Sequence, residues 1–274
     1  HYRRFGNDVR YNRYHMRAKP PPADEDALRV LVFGDSVVNG GALTDQSELA
    51  TARLQQNHRA TDGDAWVGNV SAGSWGPANM LAYVERFGWF DADLAVFVLS
   101  THDLTDLPQF RRNLGVDFPT ETPGLALEEA LRRYLPRYVP AFEPWIGDRP
   151  SPPTRTYDDP ATEGRDVLQT LLTRASDDVP TVVGILHPTR REIIGEGGAD
   201  ARARRATIAE IFQSAGVPLL RFSVRYAGRD GLYRDSIHLN GRGQAAYAEL
   251  LTCIAMNRTA AAITRACEGG ARAA

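Results

Sequence analysis

The run Leu28-Arg29-Val30-Leu31-Val32-Phe33 stops at Gly34-Asp35-Ser36 and passes into a glycine-bearing loop, and no other stretch constrains the fold as strongly. Apolar, mostly β-branched or aromatic residues with no polar alternation read as a strand buried on both faces, as in a parallel sheet. Parallel strands need long crossover connections. The chain supplies them. Strands are expected at Arg29–Phe33, Trp66–Val70, Leu94–Leu99, Thr181–Leu186 and Val217–Phe222. Helical spacing is expected between them over 45–58, from Pro77 to Phe87, over 161–175 and over 200–215, with a last helix capped by Asn240. Five strands alternating with helices predict an α/β domain with a central parallel sheet covered on both faces.

The 274 residues suit one large domain. Residues 1–27 read as an amino-terminal arm, with a short strand around Val9–Tyr14, and a stiff linker at Pro20-Pro21-Pro22. The domain proper is expected over 28–258 and a carboxyl-terminal tail over 259–274. Ten of the 17 prolines fall between Pro108 and Pro160, so 104–160 reads as an insertion, expected over the mouth of a site. A net charge of −2, with no basic stripe, excludes a nucleic-acid footprint. The longest wholly apolar run, Leu94–Leu99, is too short to span a bilayer, so the given chain holds no membrane segment. Cys253 and Cys267 have no metal-binding spacing. They are either one disulfide, which implies an oxidising compartment, or two thiols.

Four short stretches fall at the carboxyl ends of strands or just before the last helix: Gly34-Asp35-Ser36, Asn69–Gly76, Thr101-His102-Asp103 and Asp235-Ser236-Ile237-His238. In an open parallel sheet these ends converge on one edge. A serine hydroxyl becomes a nucleophile when an imidazole takes its proton, and the imidazole needs a carboxylate to fix its tautomer. Ser36, His238 and Asp235 therefore make a candidate acyl-transfer triad. The oxyanion would be held by the Ser36 N–H, a backbone N–H of the Gly73-Ser74 turn and a side chain after the third strand. Asp35, Trp75, Asp103 and His187 stand close enough on this edge to be candidates for substrate contact. Core packing is the stronger expectation for Trp75, as for Trp89 and Trp145. His102, Asp103 and Asp106 form a local cluster read as loop capping, with a metal site as the alternative.

These motifs resemble the GDSL or SGNH hydrolase superfamily. Gly34-Asp35-Ser36 is similar to its first block, the glycine-containing turn after Asn69 to its second, and Asp235-Ser236-Ile237-His238 to its last, together covering about Arg29–Leu251. The resemblance implies a flavodoxin-like three-layer α/β/α sandwich. It also implies Ser36 as nucleophile, His238 as general base and Asp235 as its partner, with no metal or organic cofactor. The family's oxyanion glycine falls at Ser74, with Gly73 beside it. Where the family commonly has Gly-x-Asn-Asp, this chain has Ser100-Thr101-His102-Asp103, so His102 stands at the asparagine position, where a neutral imidazole can donate to an oxyanion and can also protonate, changing the pH profile. Tyr11–Arg17 is similar to an Asn-x-x-Gly-x-Arg arm of envelope-associated members, with His15 in the glycine's place. The implied function is ester hydrolysis, removing a small acyl group such as acetyl from a carbohydrate or similar polar acceptor. O-acetyl transfer to a polysaccharide and a non-catalytic carbohydrate-binding module are the alternatives. An extracytoplasmic bacterial location goes with the envelope-associated branch.

Overall fold

The computed structural model describes residues 1–23, 26–61, 63–108, 124–131, 135, 139 and 156–268. They fall into two compact units, 1–107 with 159–274, and 108–158. In the second, Ala126–Glu129 forms one helical turn and the Tyr157 hydroxyl donates to the Pro108 carbonyl at 2.8 Å. The expected cover over the site and Trp145 concern residues that mostly lie outside those described.

The first unit opens with a hairpin, β1 (Tyr2–Arg4) and β2 (Asn7–Val9). The arm's strand thus ends where Val9–Tyr14 was expected to begin. Its turn, Phe5-Gly6, takes positive φ at both residues and reverses the chain before Val9. Then come β3 (Leu28–Gly34), α1 (Ser36–Asn39), α2 (Ala50–Thr61), β4 (Ala65–Ser71), α3 (Pro77–Phe87), β5 (Leu94–Leu99), α4 (Pro160–Asp178), β6 (Thr181–Leu186), α5 (Ala199–Ser214), β7 (Leu219–Arg221) and α6 (Gly241–Asn257). The strands pair in parallel in the order β4-β3-β5-β6-β7, as a three-layer α/β/α sandwich requires.

Alternate residues of each strand supply two separate cores. Val30, Val32, Val96, Val98, Val183 and Ile185 face Leu54 of α2 and Leu250, Leu251 and Ile254 of α6. Leu31, Phe33, Ala95, Phe97 and Leu99 face Met80 of α3, Leu168 and Leu172 of α4, and Ile208 and Phe212 of α5. This period-2 division explains why the strands are apolar throughout. Residues 259–268 are more than a tail. Ile263 and Cys267 are buried in the first of these cores, and Cys253 and Cys267 form a disulfide.

The arm covers the sheet edge, a position that would otherwise offer unpaired backbone groups. The Arg17 N–H donates to the Asn69 carbonyl of β4 at 3.0 Å, and the Trp66 indole donates to the Lys19 carbonyl at 2.9 Å. Asn12 Oδ1 accepts from the N–H groups of Tyr14 and Met16 around His15, whose φ is +62°. That left-handed position is one glycine adopts without a Cβ penalty, which accounts for the glycine of the related arm.

One close approach fixes the loop after β5. A Cβ added at Gly164 of α4 would lie 1.7 Å from the Leu104 carbonyl oxygen. Gly164→Ala is therefore expected to destabilise the chain by about 1–3 kcal/mol and to displace 103–106. Urea denaturation checks the first effect, and an unchanged midpoint would show that the helix yields instead.

Candidate active site

Strand order sets the site. With β3 flanked by β4 and β5, the turn carrying Ser36 lies between the loops that follow those two strands, at the point where the chain's winding reverses. Ser36 is the first residue of α1, and Asp35 caps that helix by accepting from the Val37 N–H at 2.8 Å. Gly34 allows the tight strand-to-helix corner, because a Cβ there would lie 2.4 Å from Val38 Cγ2.

Ser36, His238 and Asp235 come together as the sequence predicts. His238 Nε2 is 2.9 Å from Ser36 Oγ, and its Nδ1 is 2.8 Å from Asp235 Oδ2. Asp235 Oδ1 accepts from the N–H groups of Ile237 and His238 at 3.0 and 2.8 Å. Partial burial pushes the Asp235 carboxyl up. The two backbone N–H groups and the imidazole outweigh it and bring the group down to about 2. A depressed carboxyl contributes stability that is fully present above its unfolded value near 3.9 and is lost as pH falls towards 2. The carboxylate thus stays charged throughout the range in which imidazoles titrate. Such an array can move a proton from a hydroxyl to an imidazole while holding the ring in one tautomer.

His187 does not touch the site's surface as the sequence suggested. It is fully buried behind the His238 loop, where Nε2–H donates to the Ile237 carbonyl at 2.9 Å and Nδ1 accepts from the Tyr247 hydroxyl at 3.3 Å. The neutral ring satisfies one donor and one acceptor. Burial, the dominant cause, pulls His187 down from 6.5 to about 4. The folded chain therefore binds fewer protons here than the unfolded chain between those values. Stability is full above pH 6.5 and falls by roughly 3 kcal/mol on acidification to 4. Denaturation midpoints at pH 7 and 4.5 check this, and His187→Gln should flatten the slope.

Asp35 and Asp103 are likewise buried, 2% and 1% exposed, so neither presents a substrate surface. Trp75 packs partly buried against the core beside Tyr83, and Trp89 against Phe33, so both follow the packing expectation. Gly73 and Ser74 are exposed in the turn after β4. Ser74, at the related glycine's position, has φ +56°, a left-handed conformation that glycine takes without a Cβ penalty.

His102 faces carboxylates from two loops. Its Nε2 lies 3.4 Å from Asp35 Oδ2, 3.1 Å from Asp103 Oδ1 and 3.7 Å from Asp106 Oδ2. The hydrogen bond to Asp35, helped by the charges of the three carboxylates and opposed by burial, raises its pKa to about 9. At neutral pH this favours the imidazolium, the protonated form that the sequence left open beside a neutral donor.

Two arginines that sequence reasoning gave no role grip the loop behind Ser36. Arg17, 1% exposed, donates to the carbonyls of Asn39, Gly41 and Thr44. Arg234 donates to the Gly40 carbonyl at 3.3 Å and to Thr44 Oγ1 at 3.1 Å. The available signal was the arginine closing the Asn-x-x-Gly-x-Arg resemblance. A cleft of about 450 Å³ between the arm and α2, lined by Arg10, Lys19, Asp45, Gln46 and Arg59, contains none of the triad. Chemistry needs a converging nucleophile and base more than volume, so the candidate site is at Ser36.

No protein-family description and no curated protein matches the sequence. Solved structures do. The acetyl xylan esterase AlAXEase superposes with a TM-score of 0.53 at 13% identity, over 81% of this chain and 96% of its own. Axe2, an acetylxylan esterase from Geobacillus stearothermophilus, gives 0.52 at 13% identity over 86% and 94%. TesA gives 0.51 at 17% identity over 81% and 94%. At these identities the likeness concerns the fold.

Proposed function

For a chain with the SGNH hydrolase fold, we propose a serine ester hydrolase that removes a small acyl group, acetyl first, from a carbohydrate or similar polar ester. The observation that carries the proposal is the continuous contact from Ser36 Oγ through His238 to Asp235. His238 Nε2 takes the Ser36 proton as Oγ attacks the ester carbonyl, and Asp235 holds the Nδ1 proton. The oxyanion is met by the N–H groups of Ser36, at the amino end of α1, and of the Gly73-Ser74 turn. Collapse passes the proton from His238 to the departing alcohol and leaves an acyl-serine. Water, activated by the same imidazole, then releases the acid.

The acetyl preference is supported by the fold shared with two acetylxylan esterases. The disulfide supports an oxidising, extracytoplasmic location. No helix among the described residues is long and apolar enough to cross a membrane.

The test is incubation with a fluorophosphonate and, separately, with acetylated xylo-oligosaccharides. A single adduct on the peptide containing Ser36, together with acetate release, is expected. Acetyl moved onto added oligosaccharide in place of acetate would assign transfer. Neither adduct nor turnover would leave the chain a binding module.

A further inference from the structure

We propose that Asp35, His102 and Asp103 form a site for one divalent first-row transition-metal cation, with Asp106 at its open side. The proposal goes beyond esterase function and holds whether or not Ser36 is a nucleophile. Asp35, His102 and Asp103 each offer a ligand atom within 4.8 Å of those of the other two, with His102 Nε2 near Asp35 Oδ2 and Asp103 Oδ1. Metal–ligand bonds of about 2.0–2.2 Å in a tetrahedron put ligand atoms about 3.3 Å apart. The observed separations from Nε2, 3.4 and 3.1 Å, match that edge.

Both buried carboxylates are divided in the same way. Asp35 gives Oδ1 to the Val37 N–H and Asp103 gives Oδ2 to the Ser100 N–H at 2.8 Å, and each turns its other oxygen towards His102. Held oxygens of this kind orient the ligand atoms of a metal site. Asp103 Oδ1, on a side chain 1% exposed, stands 3.1 Å from His102 Nε2 and aims into the group, yet accepts no well-formed hydrogen bond. A buried acceptor left this way is costly unless a cation meets it.

Charge argues the same way. Three carboxylates surround one imidazole, and among the described residues no lysine or arginine pairs with any of them. A divalent cation would bring two positive charges to this cluster of acidic groups and let the ring bind as a neutral ligand. His102 and Asp106 are 38% and 30% exposed, which gives a cation a way in and leaves a position for water or a substrate oxygen. One nitrogen with carboxylate oxygens suits Zn²⁺, Co²⁺ or Mn²⁺, and the set has too few oxygens for Ca²⁺.

The experiment is titration of the full chain with Zn²⁺ by calorimetry, and with Co²⁺ by visible absorption. One equivalent of Zn²⁺ is expected to bind with release of a proton, and Co²⁺ to give the intense bands of a tetrahedral site. His102→Asn, at a half-exposed position, and Asp103→Asn should each weaken binding at least about tenfold, while Ser36→Ala should bind as the unaltered chain does. If Asp103→Asn does not fold, His102→Asn decides. Absence of stoichiometric binding, or binding unchanged by His102→Asn, overturns the proposal. Loss of esterase activity in Ser36→Ala with the metal still bound separates this site from the serine chemistry.

Discussion

Ser36→Ala should lower turnover of p-nitrophenyl acetate by about 10⁴–10⁶-fold while leaving the melting temperature within a degree or two. The size follows from how the three groups act. With Oγ removed, His238 and Asp235 have no hydroxyl to deprotonate, and only oxyanion stabilisation and binding remain; removal of a triad serine elsewhere has an effect of this order. The small structural effect follows from position. Ser36 keeps its backbone N–H at the first turn of α1, and the helix cap belongs to Asp35, so alanine disturbs no cap. The measurement is a pair of initial rates at matched, melt-verified concentrations. A loss of less than about tenfold would mean that Ser36 is not the nucleophile and that the contact with His238 is only structural.

Arg17→Met should destabilise the chain by about 3–5 kcal/mol, or roughly 6–20 °C in melting temperature at 2–4 °C per kcal/mol. Methionine nearly fills the space but donates nothing, so the carbonyls of Asn39, Gly41 and Thr44 lose their partner in a largely buried setting. Burial lowers the Arg17 pKa, though from a starting point high enough to keep the guanidinium charged. Arg17→Lys should fall between the two, because an ammonium restores the charge but lacks the planar fork that reaches several carbonyls at once. Since those carbonyls belong to the loop that follows Ser36, kcat measured well below the melting point should drop more than KM rises. A melting temperature lowered by less than about 3 °C would show that Arg234 holds the loop unaided.

The lesson about legibility lies in where the reading held and where it did not. Strands β5 and β6 fall on the expected residues, and α3 begins at Pro77 and ends at Phe87 as read. Each is declared by neighbours in sequence: an unbroken apolar run, or proline and glycine bracketing a helical repeat. The meeting of Ser36 with His238, 202 residues apart, was legible for a different reason. A parallel sheet collects the carboxyl ends of its strands on one edge, so fold and motif together imply the encounter.

The sequence by itself therefore determined the layers, the five strands of the main sheet and the residue types of the triad, because these depend on local periodicity and on a topology with few alternatives. Only the tertiary structure decided which polar residues are buried and what they face. His187 and Asp103 sit at strand ends just as site residues do, yet packing closes over both. His102 turns to three carboxylates because Asp35 comes from another strand end, and Arg17 reaches the loop behind Ser36 because the arm runs along the edge of the sheet. Burial and charge pairing arise from contacts between distant segments, and a one-dimensional pattern carries no term for them.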